Sequence, residues 1–565
     1  MRLRFHAPLA ALALASLAAC GGNGESIPQL ATAQGASLAA CTALATSFTH
    51  ASTALTAASV VTSGTLTNAG QPVGEHCLVT GKMNQRTSAV DGQTYAIGWE
   101  MRLPKDWNGR FLYQGNGGTD GVVSAATGGF SGGGPLQNAL QQGFAVISSD
   151  AGHSGAQNPL FGLDPQARLD YGYQAVGTLT PMAKALIKAA YGKGPDRSYI
   201  GGTSNGGRHT MVAAARYAAD YDGYLAISPG FNLPKAAVAQ LYGAQQWAKV
   251  ATDPANLETA LPQAERRVIA NAILARCDAL DGVADGLVND VTACRAAFDL
   301  TRDVPTCSGA RDGTCLTAAQ KTSLGNVFTG ARNSKGEALY ARWPYDAGIV
   351  QTGWADWKFR NSVGAARDPV AVGFIFSSPP ADKAILQNTL GYALNFNFDT
   401  DAPLIFATTS VYTESAMSFM TPPNPTNLDT LRGRGAKMIV VHGLSDGVFS
   451  PDDTAAWYDQ LNARYNGSAG DAVRFFLVPG MGHSRGGPAT DQFDGLTALV
   501  NWVEKGQAPD RIVASARGAG NAGGVNADVP ADWAANRTRP LCPYPLVARY
   551  KSGDKEQAAS FACER

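Results

Sequence analysis

Neither sign of charge dominates this chain: Lys+Arg and Asp+Glu both number 45 among 565 residues, and only 16% of residues are charged. That balance removes any general pull toward nucleic acid or acidic lipid, and no run of like charges restores one, so nucleic acid is not an expected partner. Zinc spacing is missing too, since no CxxC or HxxxH occurs. After Ala19 no apolar run is long enough for a membrane helix, and no internal repeat is evident. Histidine is scarce, with seven in the whole chain, which makes any catalytic base easy to seek by elimination.

What is present begins with a targeting pattern. Arg2 and Arg4 precede an apolar stretch from Ala7 to Ala19, which ends in Leu17-Ala18-Ala19-Cys20-Gly21. This resembles a bacterial lipobox, with Cys20 the lipidated first residue of the mature protein and residues 1–20 the signal; ordinary signal cleavage nearby is the alternative. Either way the chain is expected to be exported, to the periplasm, to the outer membrane as a lipoprotein, or out of the cell. The other eight cysteines suit an oxidising compartment. The simplest of their many connectivities joins neighbours in sequence: Cys41 with Cys77, Cys277 with Cys294, Cys307 with Cys315 and Cys542 with Cys563. Residues 21–40, small and polar without apolar period, read as a flexible tether.

Apolar runs of strand length recur in the first half: residues 110–113, 144–148, 198–201 and 224–227. Helical spacing spans Ala175 to Tyr191 and Gly207 to Ala219. Strands apolar throughout that alternate with helices predict a buried parallel sheet of α/β class. The pattern stops over 231–424, which is rich in Pro, Trp, Asn and Asp, and resumes at 437–441 and 473–478 before a last helix at 491–505. One catalytic domain, 41–230 and 425–565, is therefore expected to carry an insertion over 231–424.

Gly202-Thr203-Ser204-Asn205-Gly206 matches G-x-S-x-G between a predicted strand and a predicted helix. This is the setting of a nucleophile elbow in the α/β-hydrolase fold. A serine hydroxyl needs a base. His6, His50 and His76 precede the sheet pattern, His209 sits on the helix after Ser204, and His153 precedes the serine. His442 reads as a wall residue beside an acid loop. His483, directly after the last strand, remains. Asp446 follows the penultimate strand and supplies the acid, in the chain order Ser, Asp, His; Asp452 and Asp453 look like a helix start instead. Oxyanion donors are sought in the N–H of Asn205 and in the loop Gln114 to Thr119, where Gly118 is the choice. No Lys-Ser/Thr follows that loop, so it is no phosphate cradle.

These residues, with Phe161 to Asp170, Cys277 to Cys294, Leu477 to His483 and Thr538 to Pro545, resemble the tannase and feruloyl esterase family, and within it a branch that hydrolyses a terephthalate monoester. The resemblance runs from about Cys41 to Cys563. It implies a serine carboxylic ester hydrolase acting on a small aromatic ester through an acyl-enzyme, with no catalytic cofactor. It also implies the same triad and oxyanion donors, the four local disulfides, and a lid formed by 231–424 between nucleophile and acid. A structural calcium is implied on Asp278, Asp281 and Asp285 and the carbonyls of Val283 and Leu287, donors hard enough for that ion. Trp357 and Phe374 match aromatic wall positions, with Leu233, Phe449 and His442 completing the substrate pocket. Two departures stand out. Thr203 and Ser484 stand where relatives carry a disulfide beside the triad, so the chain reads as lacking the active-site disulfide cysteines. In the terephthalate branch a lid arginine grips the free carboxylate; no arginine stands at that place here, and Arg367 is the nearby cation.

Overall fold

The computed structural model describes residues 27–130, 136–365 and 367–565. The signal segment and Cys20 lie outside them. A nine-stranded sheet organises the rest. In chain order its strands are β1 (Thr53–Val61), β2 (His76–Thr87), β3 (Thr94–Pro104), β4 (Arg110–Gly115), β5 (Ala145–Ser149), β6 (Arg197–Thr203), β7 (Gly223–Ile227), β8 (Lys437–Gly443) and β9 (Val473–Val478). Across the sheet they run β9-β8-β7-β6-β4-β5-β3-β2-β1. From β9 to β5 all pairs are parallel, while β5–β3, β3–β2 and β2–β1 are antiparallel.

The parallel strands are apolar on both faces because both faces are covered. Along β4, Phe111 and Tyr113 enter one core and Leu112 the other; along β8, Met438 and Val440 oppose Ile439 and Val441. Helix α1 (Ala175–Tyr191) packs in the first core and ends on Gly192 at φ 78°, a left-handed stop that glycine takes without a Cβ penalty. Helix α2 (Asn205–Arg216) follows β6 directly.

Between β7 and β8 the described residues form helices and turns, the longest being α3 (Leu233–Ala248), α4 (Gln263–Cys277) and α5 (Ala318–Thr329). Helix α6 (Pro451–Arg464) starts on Ser450, whose hydroxyl accepts from the Asp452 N–H, and α7 (Gly495–Lys505) starts on Asp494. The architecture is that of an α/β-hydrolase. No helix among the described residues is long and apolar enough to cross a membrane.

Two expectations are corrected here. The tether does not extend to residue 40. Gln29 donates to the Val503 carbonyl at 2.8 Å, the Ala33 N–H meets Glu504 at 3.0 Å, and Ala36–Ser37 pair with Asp106–Trp107. Hydrogen bonds to α7 and pairing with Asp106–Trp107 hold this segment, with Ile27, Leu30 and Leu38 packed against the cores; apolar residues so scattered leave no period in the sequence. The sheet also begins earlier than the apolar runs suggested, at Thr53, with His76 on β2.

All four disulfides form: Cys41–Cys77, Cys277–Cys294, Cys307–Cys315 and Cys542–Cys563. The reading of a chain lacking the active-site disulfide cysteines is corrected by these bridges: four disulfides are present, Cys41–Cys77 and Cys542–Cys563 among them, while positions 203 and 484 hold threonine and serine.

Candidate active site

The sheet turns sharply where β6 meets α2. Ser204 stands there at φ 64°, ψ −122°, a strained conformation for a non-glycine residue. Glycines make the turn feasible by close approach: a Cβ on Gly206 would sit 2.2 Å from the Gly115 carbonyl oxygen, and one on Gly202 2.5 Å from the same atom. The elbow and the loop after β4 are thus in backbone contact, and the Ser204 hydroxyl is lifted past the strand ends.

Asp446 follows β8 and is fully buried. Its Oδ1 accepts from the N–H groups of Val448 at 2.8 Å and Phe449 at 3.0 Å. Its Oδ2 accepts from His483 Nδ1 at 2.8 Å and His442 Nε2 at 3.2 Å. Burial pushes this carboxyl's pKa up, but the two imidazoles more than offset that and hold it well below the usual carboxylate range. With Nδ1–H committed to Asp446, His483 Nε2 faces Ser204 Oγ at 2.8 Å with its lone pair free to accept the hydroxyl proton. Trp357 and Phe449 stand edge-on to the imidazole, each 5.3 Å from it.

Gly118, at φ 68°, and Asn205, the first residue of α2, line the space above Ser204 together. The Asn205 side chain is locked from both ends: it donates to Asp120 Oδ2 at 2.8 Å and accepts from Arg208 Nε at 2.6 Å. His209 Nε2 meets the same Asp120 oxygen at 2.9 Å. Burial raises the Asp120 pKa to about 7. Sequence reasoning missed Asp120, a lone acid in a loop with no spacing to mark it.

A cavity of about 370 Å³ opens beside Ser204 and His483, lined by polar backbone from Gln114 to Gly118 and by Trp357, Arg367 and Arg485. A smaller apolar compartment of about 50 Å³ lies on the Asn205 side, walled by Tyr171, Leu233, Ala237, Trp357, Phe376 and Phe449. Leu233, Trp357 and Phe449 therefore face the site. Phe374 lines neither cavity, whereas Phe376, equally buried, lines the apolar compartment, because two positions along a helical turn lie on nearly opposite sides. His442 is also enclosed. It backs Asp446, and its Nδ1 pairs with the Thr454 hydroxyl at 3.0 Å, away from any substrate.

The expected calcium is not supported: no group of three acidic, histidine or cysteine side chains among the described residues could hold a metal. The carboxylates of that loop are committed to protein donors. Asp278 accepts from the N–H groups of Asp285 and Gly286, Asp281 from Asn289 and the Val283 N–H, and Asp285 from the Leu287 N–H and the Arg539 guanidinium. Val283 and Leu287 thus turn N–H groups toward the acids, and the Arg539 guanidinium is the cation paired with Asp285.

Residues 77–564 match the family model described as tannase and feruloyl esterase. The chain belongs to the tannase and feruloyl esterase family. Within it, mono(2-hydroxyethyl) terephthalate hydrolase of Piscinibacter sakaiensis is 41% identical over 525 residues, covering 86% of this chain and 85% of its own. A probable feruloyl esterase B-1 of Neosartorya fischeri is 27% identical, covering 82% of each chain. Feruloyl esterase B from Aspergillus oryzae shares the fold with a TM-score of 0.72, at 23% identity over 93% of this chain and 99% of its own. As a member of this family the protein is a carboxylic ester hydrolase.

Proposed function

We propose that the protein hydrolyses aromatic carboxylic esters through an acyl-enzyme. The observation that carries this reading is the unbroken relay Asp446–His483–Ser204, two steps of 2.8 Å, opening on an apolar compartment walled by Trp357 and Phe449. Ser204 Oγ attacks the ester carbonyl as His483 Nε2 takes its proton, and Asp446 stabilises the imidazolium. The N–H groups of Asn205 and Gly118 receive the oxyanion. His483 then returns the proton to the leaving alcohol and later activates the water that frees the acid. The alcohol half must lie on the His483 side, in the larger polar cavity, which leaves the apolar compartment for the acyl group.

The names of the relatives, feruloyl esterases and a terephthalate monoester hydrolase, fit an aromatic acyl group of hydroxycinnamoyl or benzoyl type. A terephthalate monoester is a second substrate: Arg367 lines both compartments with its guanidinium 5.1 Å from the Trp357 ring, and a free ring carboxylate finds its cation there. Residues 231–424 act as the lid over this site. Four disulfides are consistent with export, and Cys20 is the proposed lipid anchor.

Ser204→Ala tests the assignment. Hydrolysis of aromatic esters is expected to fall by at least about 10⁴-fold, with loss of fluorophosphonate labelling; parent-level turnover by the variant excludes Ser204 as nucleophile. Matched aromatic and aliphatic acyl esters test the substrate class, and a preference for the aliphatic series rejects it.

A further inference from the structure

Asp346 takes no part in the chemistry above, yet it sits beneath it. It comes from the segment between β7 and β8 and is only 3% exposed. One oxygen accepts from the Ser445 hydroxyl and from the Gly348 N–H at 2.9 Å; the other accepts from the Gly480 N–H at 3.2 Å. Ser445 immediately precedes Asp446, and Gly480 opens the turn that ends in His483. The two loops also touch directly, through the Ser445 N–H and the Met481 carbonyl at 2.9 Å. One carboxylate from the inserted segment therefore joins the loop of the acid to the loop of the base.

Neighbouring residues repeat the contact. The Ser450 N–H donates to the Tyr340 hydroxyl at 3.0 Å, and the Ser450 hydroxyl donates to the Arg342 carbonyl. Gly348 packs so tightly that a Cβ would lie 2.4 Å from the Gly480 carbonyl oxygen. A Cβ on Gly482 would lie 2.1 Å from Gln351 Oε1. Stretch 340–351 thus grips both loops from one side. An apolar side chain here would leave the Gly348 and Gly480 N–H groups and the Ser445 hydroxyl without this acceptor. Directional bonds to two separate loops are what apolar packing cannot supply.

We propose that Asp346 is a positioning residue that sets the relation of Asp446 to His483, making the inserted segment part of the support of the triad. This rests on the roles given to Ser204, Asp446 and His483 above.

The test compares Asp346→Asn and Asp346→Ala with the parent on one aromatic ester, well below the melting temperature. A misplacement of about 1 Å costs on the order of 10²-fold, so kcat is expected to fall roughly 10- to 100-fold with KM within about threefold. Fluorophosphonate labelling should slow in proportion. The acidic limb of the kcat/KM profile should also move, because the imidazole loses its aligned carboxylate; the other titratable groups facing that pair are His442 from β8 and Tyr340 and Lys358 from the insertion.

Leu324→Ala, a core truncation in α5, is the control for destabilisation alone and should leave kcat and the pH profile in place. An Asp346 variant that behaves like this control overturns the proposal, as does one with kcat within about twofold of the parent, a change smaller than any misplacement of the triad would give. Should neither variant fold, Ser445→Ala removes one of the three contacts, and an unchanged kcat overturns the proposal equally. Persistent labelling of Ser204→Ala would reject the triad itself; a silent Ser204→Ala beside unaffected Asp346 variants rejects only the positioning role.

Discussion

Around Ser204 the sheet and the inserted segment fix their residues by different means. On the sheet side the decisive contacts are backbone on backbone: β6 pairs Gly202 with Gly115 of β4, and Gly206 presses on the same carbonyl. On the inserted side, apart from Gly348 against the Gly480 carbonyl, they run through side chains. Gln240 of α3 donates to the carbonyls of Gly447 and Val448 at 3.1 and 2.9 Å, and Asp346 reaches the Gly480 N–H. Backbone contacts leave no room for variation, because the fold and the site share the same atoms. Side-chain contacts can be removed one at a time, so function and stability become separable there.

The comparison breaks if a sheet-side change proves as separable as an inserted one. Gly206→Ala should give the largest effect: the new Cβ collides with Gly115, costing about 1–3 kcal/mol in a urea melt. It should also lower kcat on the order of 10²-fold by shifting Ser204 against its oxyanion loop. Trp357→Ala comes next. It removes one wall of the apolar compartment and one of the two rings flanking His483, so kcat/KM for an aromatic ester should drop roughly 10-fold while the melting temperature stays near the parent's, Trp357 being only half-buried.

The third is a pH effect beneath the loop after β4. Burial raises the Asp120 pKa to about 7, so the native state holds a proton that the unfolded chain releases near its ordinary 3.8. Stability from this group is full below about pH 4 and is lost as pH rises through about 7. Asp120→Asn should flatten that part of a melting-temperature profile; an unchanged slope would show that Asp120 does not contribute to it.

Much of the sheet was legible because β4 to β9 are covered on both faces, which leaves a continuous apolar signal, and most observed bounds lie within a residue or two of the runs. The antiparallel strands β1 to β3 escaped that reading. Thr53–Val61 is largely exposed at the edge, and β2 carries Lys82, Asn84 and Arg86, so their hydropathy is mixed. Ser204, Asp446 and His483 could be singled out because the elbow string sits between a strand and a helix and because histidine is rare. In the insertion, short turns of several helical types replace any steady period, which is why Phe374 was chosen where Phe376 faces the cavity. Asp120 and Asp346 left no trace in the sequence, since their importance lies in partners more than 80 residues away.

The grip of residues 340–351 on the loops around Ser445 and Gly480 bears on how segments can be exchanged among relatives. Grafting the whole stretch 231–424 from another enzyme would import a foreign clasp along with a new substrate surface. Crossovers that keep 340–351 with its native body, and replace only residues 352–424, would alter recognition while sparing the relay.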